Sequence, residues 1–199
     1  MIITTERKTK KVAEYLDIVD ENGEPTGKTV DRETAHREGI RHRTAHLWLL
    51  RKAADGSIQV LLQKRCSTKS SFPGCYDISS AGHIPAGVDY IPSALRELEE
   101  ELGTTAKADE LIYCGTRTIR ADEIFFGKEF HDRQVSKIFI LWRDIDEDGF
   151  TLQRDEVDEV RWIGLDECIN AVENDTIKHC IVMEELLMVK RAAEASLAE

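Results

Sequence analysis

Apolar and polar positions along this chain switch repeatedly between a period of two and a period near 3.6, as strands alternating with helices do. Residues 14–20 (EYLDIVD) read as a strand, ENGEPTG after them as a turn, and residues 31–38 as a short helix. Residues 45–50 and 58–63 are apolar runs on either side of ADG, which predicts a hairpin. Residues 76–80 are strand-like, and a helix follows Asp89. Residues 111–119 and 135–142 (VSKIFILW) are further strands with a loop at 121–132 between them, and 159–163 is short and β-like. From about residue 175 the spacing and the good helix formers predict a C-terminal helix. Mixed strands with helices packed outside indicate an α/β sandwich.

The segment GHIPAGVDYIPSALRELEEELG, residues 82–103, carries the chemistry. At about 100° per residue, Glu97, Glu100 and Glu101 share one arc of the predicted helix, beside a stripe of Ile91, Leu95, Leu98 and Leu102. Like charges three and four apart cost an isolated helix about 0.2–0.5 kcal/mol per pair, and anions in its C-terminal half oppose the macrodipole. A divalent cation is the natural compensation. Glu99, rotated away from the other three, reads as a solvated charge or a partner of Arg96. Asp89 suits the N-cap, Pro92 the first turn and Gly103 the C-cap. Three carboxylates are hard oxygen donors, matched to Mg²⁺ or Mn²⁺ rather than zinc.

Composition narrows the classes. A chain of 199 residues makes one domain, or one with an extension, and can bury about 70% of its unfolded surface. A net charge of −11 argues against nucleic acid or an anionic membrane as partner. The basic, polar start MIITTERKTKK lacks the apolar core of a secretory signal, and no apolar run approaches the ~20 residues of a membrane span. Five scattered cysteines without a CxxC suggest reduced thiols and no zinc site. The expectation is a cytoplasmic protein.

The 82–103 segment resembles the box of Nudix hydrolases: a glycine, five residues, a glutamate, seven residues, then R-E-U-x-E-E-x-G-U with U aliphatic. Gly82, Arg96, Glu97, Leu98, Glu100, Glu101 and Gly103 match in register, while Val88 replaces the first glutamate and Thr104 the last aliphatic residue. In the family that first glutamate orients the helix arginine, so its loss leaves Asp89 as the neighbour able to hold Arg96. The resemblance implies a Nudix α-β-α sandwich with a mixed sheet: one domain over 1–199, with an extension at 1–43, a core at 44–174 and a C-terminal helix at 175–199. It also implies Glu100 and Glu101 as metal ligands, Glu97 as ligand or general base, and the backbone carbonyl of Gly82 or Ala81 as a further ligand. Asp132, Glu156 and Glu159 are candidates for an extra acid from a later loop.

TAHREGIRHRTAHLWLL and LLQKRCSTKSSFPGCYDISSAGH resemble isopentenyl diphosphate isomerases, relatives with a degenerate box. The match puts His36, His42 and His83 on that family's metal-binding histidines, and Arg32, Arg65, Lys69 and Arg96 on its basic diphosphate contacts. The isomerases' proton-carrying cysteine and glutamate fall on Ala81 and Gln134. The chain thus reads as a hydrolase of the isomerase-like branch, using Mg²⁺ or Mn²⁺ to cleave a phosphoanhydride in a small nucleoside diphosphate-linked or related compound. A diphosphate isomerase and a non-catalytic nucleotide sensor are the alternatives. Phe125, Phe126 and Phe130 either stack on a base or pack. The C-terminal helix either covers the active-site face or pairs two subunits into a homodimer.

Overall fold

A computed structural model describes residues 13–198; the basic start read above lies outside them. The run HLWLL is apolar on both alternations because strand β3 (His42–Lys52) is buried on both faces. It lies beside β8 (Lys128–Trp142) in parallel register, with His42 opposite Gln134 and Leu50 opposite Trp142. Its other side pairs antiparallel with β6 (Ser80–His83) near its start and with β4 (Ile58–Arg65) near its end. β5 (Tyr76–Asp77) and β9 (Val157–Gly164) pair with β4, and β7 (Ile112–Phe125) with β8, completing a seven-stranded mixed sheet. β1 (Tyr15–Val19) and β2 (Pro25–Asp31) form a separate two-stranded sheet, followed by α1 (Arg32–Glu38).

Alternate residues feed two cores. Leu47, Leu49, Leu61, Phe139 and Leu141 pack under α2 (Tyr90–Leu102) through Leu98 and Leu102. Trp48, Leu50, Leu62, Ile138 and Ile140 face α3 (Leu165–Glu173) and α4 (Met183–Ser196), through Cys168, Leu186 and Val189. The α/β sandwich is therefore as expected.

Five details differ from the sequence reading, which expected no strand between the turn at 21–27 and the helix at 31–38, where β2 runs. The run 76–80 is two strands, because the chain crosses there from β4 to β3. Buried Ser79 bridges the gap, accepting from the Leu49 amide at 2.7 Å and donating to the Leu61 carbonyl at 2.7 Å. The expected loop at 121–132 continues β7 and β8 as a hairpin, turning at Phe126–Gly127, where φ is +51° and +75°. Both angles positive is the two-residue turn that suits strand twist. α3 was not anticipated. The last helix begins at Met183 rather than near 175, because residues 178–180 pair with Tyr76 in a β-bridge instead. Among the described residues no helix is long and apolar enough to cross a membrane, and all five cysteines are free thiols.

α4 is pinned to the sheet of its own chain by a buried carboxylate. Glu185, 2% exposed, accepts from His46 Nδ1, Trp48 Nε1 and Arg117 Nη1, each at 2.9 Å. Burial drives the Glu185 carboxyl upward, but these partners outweigh it and hold it below its ordinary value. Burial likewise lowers His46, and the Glu185 charge more than reverses that. Removing one member strands the others in a dry core. Glu185→Ala is expected to lose about 3–5 kcal/mol of unfolding free energy in urea titration, and Glu185→Gln less. An alanine variant within 1 kcal/mol of the parent would contradict the account.

Candidate active site

Helix α2 forms where expected: Asp89 accepts from the Tyr90 amide at 2.7 Å, and Gly103 closes it in the left-handed conformation, φ +64°. Its buried seam is Tyr90, Ser93, Ala94, Leu98 and Leu102, with Glu101 among them; Leu95 is only partly buried. The apolar stripe is thus rotated toward Glu101 relative to the sequence reading. The helix lies against β6. A β-carbon on Gly82 would come within 2.2 Å of the Glu97 carboxyl carbon, so only glycine lets Glu97 reach the strand.

The three glutamates share a flank and have unequal surroundings. Glu101 is buried and accepts from the Ala81 amide at 3.3 Å. Burial, reinforced by the Glu97 charge, pushes its carboxyl up to about 8. Burial also raises Glu97, to about 6. Glu100 is exposed, and the Arg96 guanidinium lies between it and Glu97, at 2.7 Å from Glu100 and 2.5 Å from Glu97. The carboxylates therefore do not close into one knot; a side-chain cation stands between two of them. Arg96 is held by these acids and not by Asp89, whose carboxylate caps the helix, and Glu99 is exposed.

The loop from β6 to α2 is clamped from the N-terminal sheet. Asp17 accepts from the Gly87 amide at 2.9 Å and from Arg43 at 3.0 Å, and Arg43 donates to the Val88 carbonyl at 2.8 Å. Asp17 and Arg43 escaped the sequence reading, since nothing in their spacing links them to residue 88.

On the other face of β6 the histidines converge. His36 from α1, His42 from β3 and His83 from β6 offer ring nitrogens all within 4.8 Å of one another. His36 Nδ1 pairs with the Arg32 carbonyl at 2.9 Å and His42 Nδ1 with the Ile40 carbonyl at 2.8 Å. As N–H donors there, both rings turn Nε2 lone pairs inward, and the His42 Nε2 is buried without a partner. Burial, then neighbouring positive charge, lowers all three, His36 to about 4, which favours the neutral ring that binding a metal requires. His36 Nε2 pairs with His83 Nε2 at 3.2 Å; Asp132 Oδ1, buried without a partner, lies 3.9 Å from His36 Nε2, and burial raises the Asp132 carboxyl to about 6.

The four basic residues expected at a diphosphate are dispersed and each meets an acid: Arg32 with Glu14, Arg65 with Asp77, Lys69 with Glu156, Arg96 with Glu97 and Glu100. Arg32 acts electrostatically on all three histidines and Lys69 on Glu101. Of the extra acids, Asp132 stands at the histidines, Glu156 at Lys69, and Glu159 is engaged by Tyr76 and Lys64 at the sheet surface. A cavity of about 180 Å³ opens beside this face, lined by Phe72, Asp77, Phe130, Asp132 and Gln134 and walled by the segment entering α4. A larger hollow, about 430 Å³, lies by Arg51 and Gln59, at the end of β3 opposite His42.

A raised carboxyl in the folded state contributes stability fully present below the unfolded value, near 4.5, and lost as pH rises through the folded one. For Glu101 that window runs from about 4.5 to about 8. In chelator, the melting temperature of the parent is expected to fall relative to Glu101→Gln as pH goes from 5 to 8, and magnesium to recover the loss. A difference that does not change with pH would contradict the burial assigned to this group.

A family model described as NUDIX domain matches residues 40–186. Nudix hydrolase 3 of Arabidopsis thaliana is 39% identical over 165 residues, covering 81% of this chain but only 21% of that protein. An uncharacterised Nudix hydrolase of Clostridium acetobutylicum is 37% identical over 161 residues, 81% of this chain and 75% of that one. The crystal structure of DR0079 from Deinococcus radiodurans superposes with a TM-score of 0.61 at 19% identity, covering 90% and 99% of the two chains, which is a likeness of fold. With the box residues in register on α2, the chain belongs to the Nudix family.

Proposed function

We propose that this protein is a divalent-metal-dependent hydrolase that cleaves the phosphoanhydride bond of a small diphosphate compound by attack of water on phosphorus. The observation that carries the reading is the pair of raised carboxyls, Glu97 and Glu101, pressed against the backbone of β6 with Glu100 beside them. Such groups gain most from a cation that displaces their protons. Their oxygens, with the carbonyl of Gly82 or Ala81, form a hard donor set that fits Mg²⁺ or Mn²⁺. A cation held there supplies charge neutralisation on the diphosphate and acidity to the attacking water.

The residues of the chain do the rest. Arg96, already between Glu97 and Glu100, can turn to the diphosphate when a cation takes its place. Lys69, which acts electrostatically on Glu101, and Arg65, paired with Asp77, supply further positive charge to the phosphate oxygens. Glu97 serves as ligand or as the base that takes the water proton. The anhydride P–O bond breaks as the water O–P bond forms, giving two phosphate monoesters, or a monophosphate and inorganic phosphate.

His36, His42, His83 and Asp132 support a second, softer site: three imidazoles and a carboxylate suit Mn²⁺ or Zn²⁺ better than Mg²⁺. Their convergence from three elements favours the isomerase-like branch within the family. The isomerase reaction itself has less support. Ala81 and Gln134 occupy the proton carriers' positions, and the thiol nearest the cavity, Cys180, is driven upward by burial and donates to the Tyr76 carbonyl.

Three results test these readings. Hydrolysis of a nucleotide and diphosphate panel is expected to stop in chelator and return with Mg²⁺ or Mn²⁺. Glu100→Gln, at an exposed position, is expected to keep its melting temperature while losing more than the 10–100-fold typical of an outer-shell change. Equal turnover by variant and parent would remove the site assignment. Formation of dimethylallyl from isopentenyl diphosphate, without hydrolysis, would favour the isomerase. Elemental analysis of the purified protein is expected to find a transition metal that His42→Ala loses; a parent free of such metal after loading would refute the histidine site.

A further inference from the structure

The cavity beside the histidines is roofed by aromatic rings that the backbone is strained to supply. Phe72 sits at φ +48°, in the left-handed region that a bulky side chain occupies only at a cost. Its ring meets Phe125 edge to face at 4.8 Å, Phe125 meets Phe130 at 5.5 Å, and Phe130 stacks on His36 at 4.4 Å and 15°. Four rings thus link the 66–75 loop, which carries Arg65 and Lys69 at its base, to the β7–β8 hairpin and the histidine cluster. Phe72 and Phe130 both line the cavity. Phe126, by contrast, is 77% exposed and takes no part.

Size and chemistry define the occupant. A volume of about 180 Å³ is slightly more than the ~150 Å³ of an apolar cavity that holds benzene: room for one six-membered ring. Ile78, Ile119, Ile181 and Val182 give apolar walls. Of the acids in the lining, Asp77 is engaged with Arg65 and Glu185 with its three donors, Glu123 sits at the exposed rim, and Asp132, 3.9 Å from His36, keeps a buried Oδ1 without a hydrogen-bond partner. The buried floor therefore offers a ligand one acceptor, Asp132 Oδ1, together with donors. Gln134 has its carbonyl oxygen taken by Thr44 at 3.2 Å and turns its amide toward Asp132, while Arg117 commits Nη1 to Glu185. A hydrocarbon of this size would desolvate those donors without replacing their hydrogen bonds. A flat ring bearing carbonyl oxygens would satisfy them while stacking under Phe72 and Phe130.

We infer that this cavity is the recognition pocket for a single-ring, carbonyl-bearing heterocycle, a pyrimidine base, and that Phe72 is a specificity-determining residue. The inference rests on the diphosphate site proposed above but is separable from it, because nucleoside monophosphates contain no anhydride and report on the pocket alone. The test is calorimetric titration of the full chain, with magnesium present, using uridine 5′-monophosphate, adenosine 5′-monophosphate, ribose 5-phosphate and 3-methylbutyl phosphate. Uridine monophosphate is expected to bind about tenfold more tightly than each of the others, roughly 1.4 kcal/mol. Phe72→Leu removes the stacking face, and Phe72→Gly does so while relieving the strained backbone. Both are expected to bring uridine monophosphate to the level of ribose 5-phosphate, whose own affinity stays the same. Adenosine or 3-methylbutyl phosphate binding as tightly as uridine monophosphate would overturn the inference. So would a Phe72 variant that weakens ribose 5-phosphate equally. A protein that discriminates in this way but hydrolyses nothing would sink the hydrolase reading and leave the pocket standing.

Discussion

Glu97 fills the space that any side chain at position 82 would need, and the whole site depends on that exclusion. Because Gly82 has no β-carbon, α2 lies close enough to β6 for Glu97 and Glu101 to be pressed against the strand and stripped of water. Burial then raises both carboxyls, and the site acquires an appetite for positive charge. The close approach is itself braced: Asp17 and Arg43 tie down the loop between strand and helix, and Ser79 fixes where the chain leaves β4 and joins β3 as β6.

One strand also separates two kinds of ligand. Successive residues of β6 point to opposite faces, so the glutamates lie beneath it at Gly82, and His83 stands above it with His36 and His42. Carboxylate oxygens and imidazole nitrogens are thereby kept on opposite faces of the strand, so that in the function proposed above the two donor sets would serve a hard and a softer ion separately. The cavity opens on the histidine face, between the loop following Arg65 and the β7–β8 hairpin.

How much of this could be read from the sequence follows from how local each feature is. Helix α2, its caps and its glutamates lie within 22 contiguous residues, and periodicity was enough to place them. The rotation of the buried seam toward Glu101 was not visible, because it depends on the helix meeting β6 rather than on its own pattern. The histidines sit on three elements, and only their motif match brought them together beforehand. The distal halves of β7 and β8 read as a loop because ADEIFFGKEFHD carries charge on both alternations, as a hairpin does when it projects beyond the sheet. Residues 46, 48, 117 and 185 form one buried network with no sequence proximity, and the left-handed backbone of Phe72 leaves no trace in KSSFPGC. Features that span distant segments needed the fold.

The central claim is that α2 and β6 together gather a divalent cation. The most direct measurement is anomalous diffraction from crystals grown with Mn²⁺ and a non-hydrolysable diphosphate. The account predicts a manganese peak among Glu97, Glu100, Glu101 and the backbone at Gly82, with Arg96 swung from between the acids onto the phosphates. Arg96 still bridging Glu97 and Glu100, with no peak beside them and the diphosphate bound elsewhere, would contradict it.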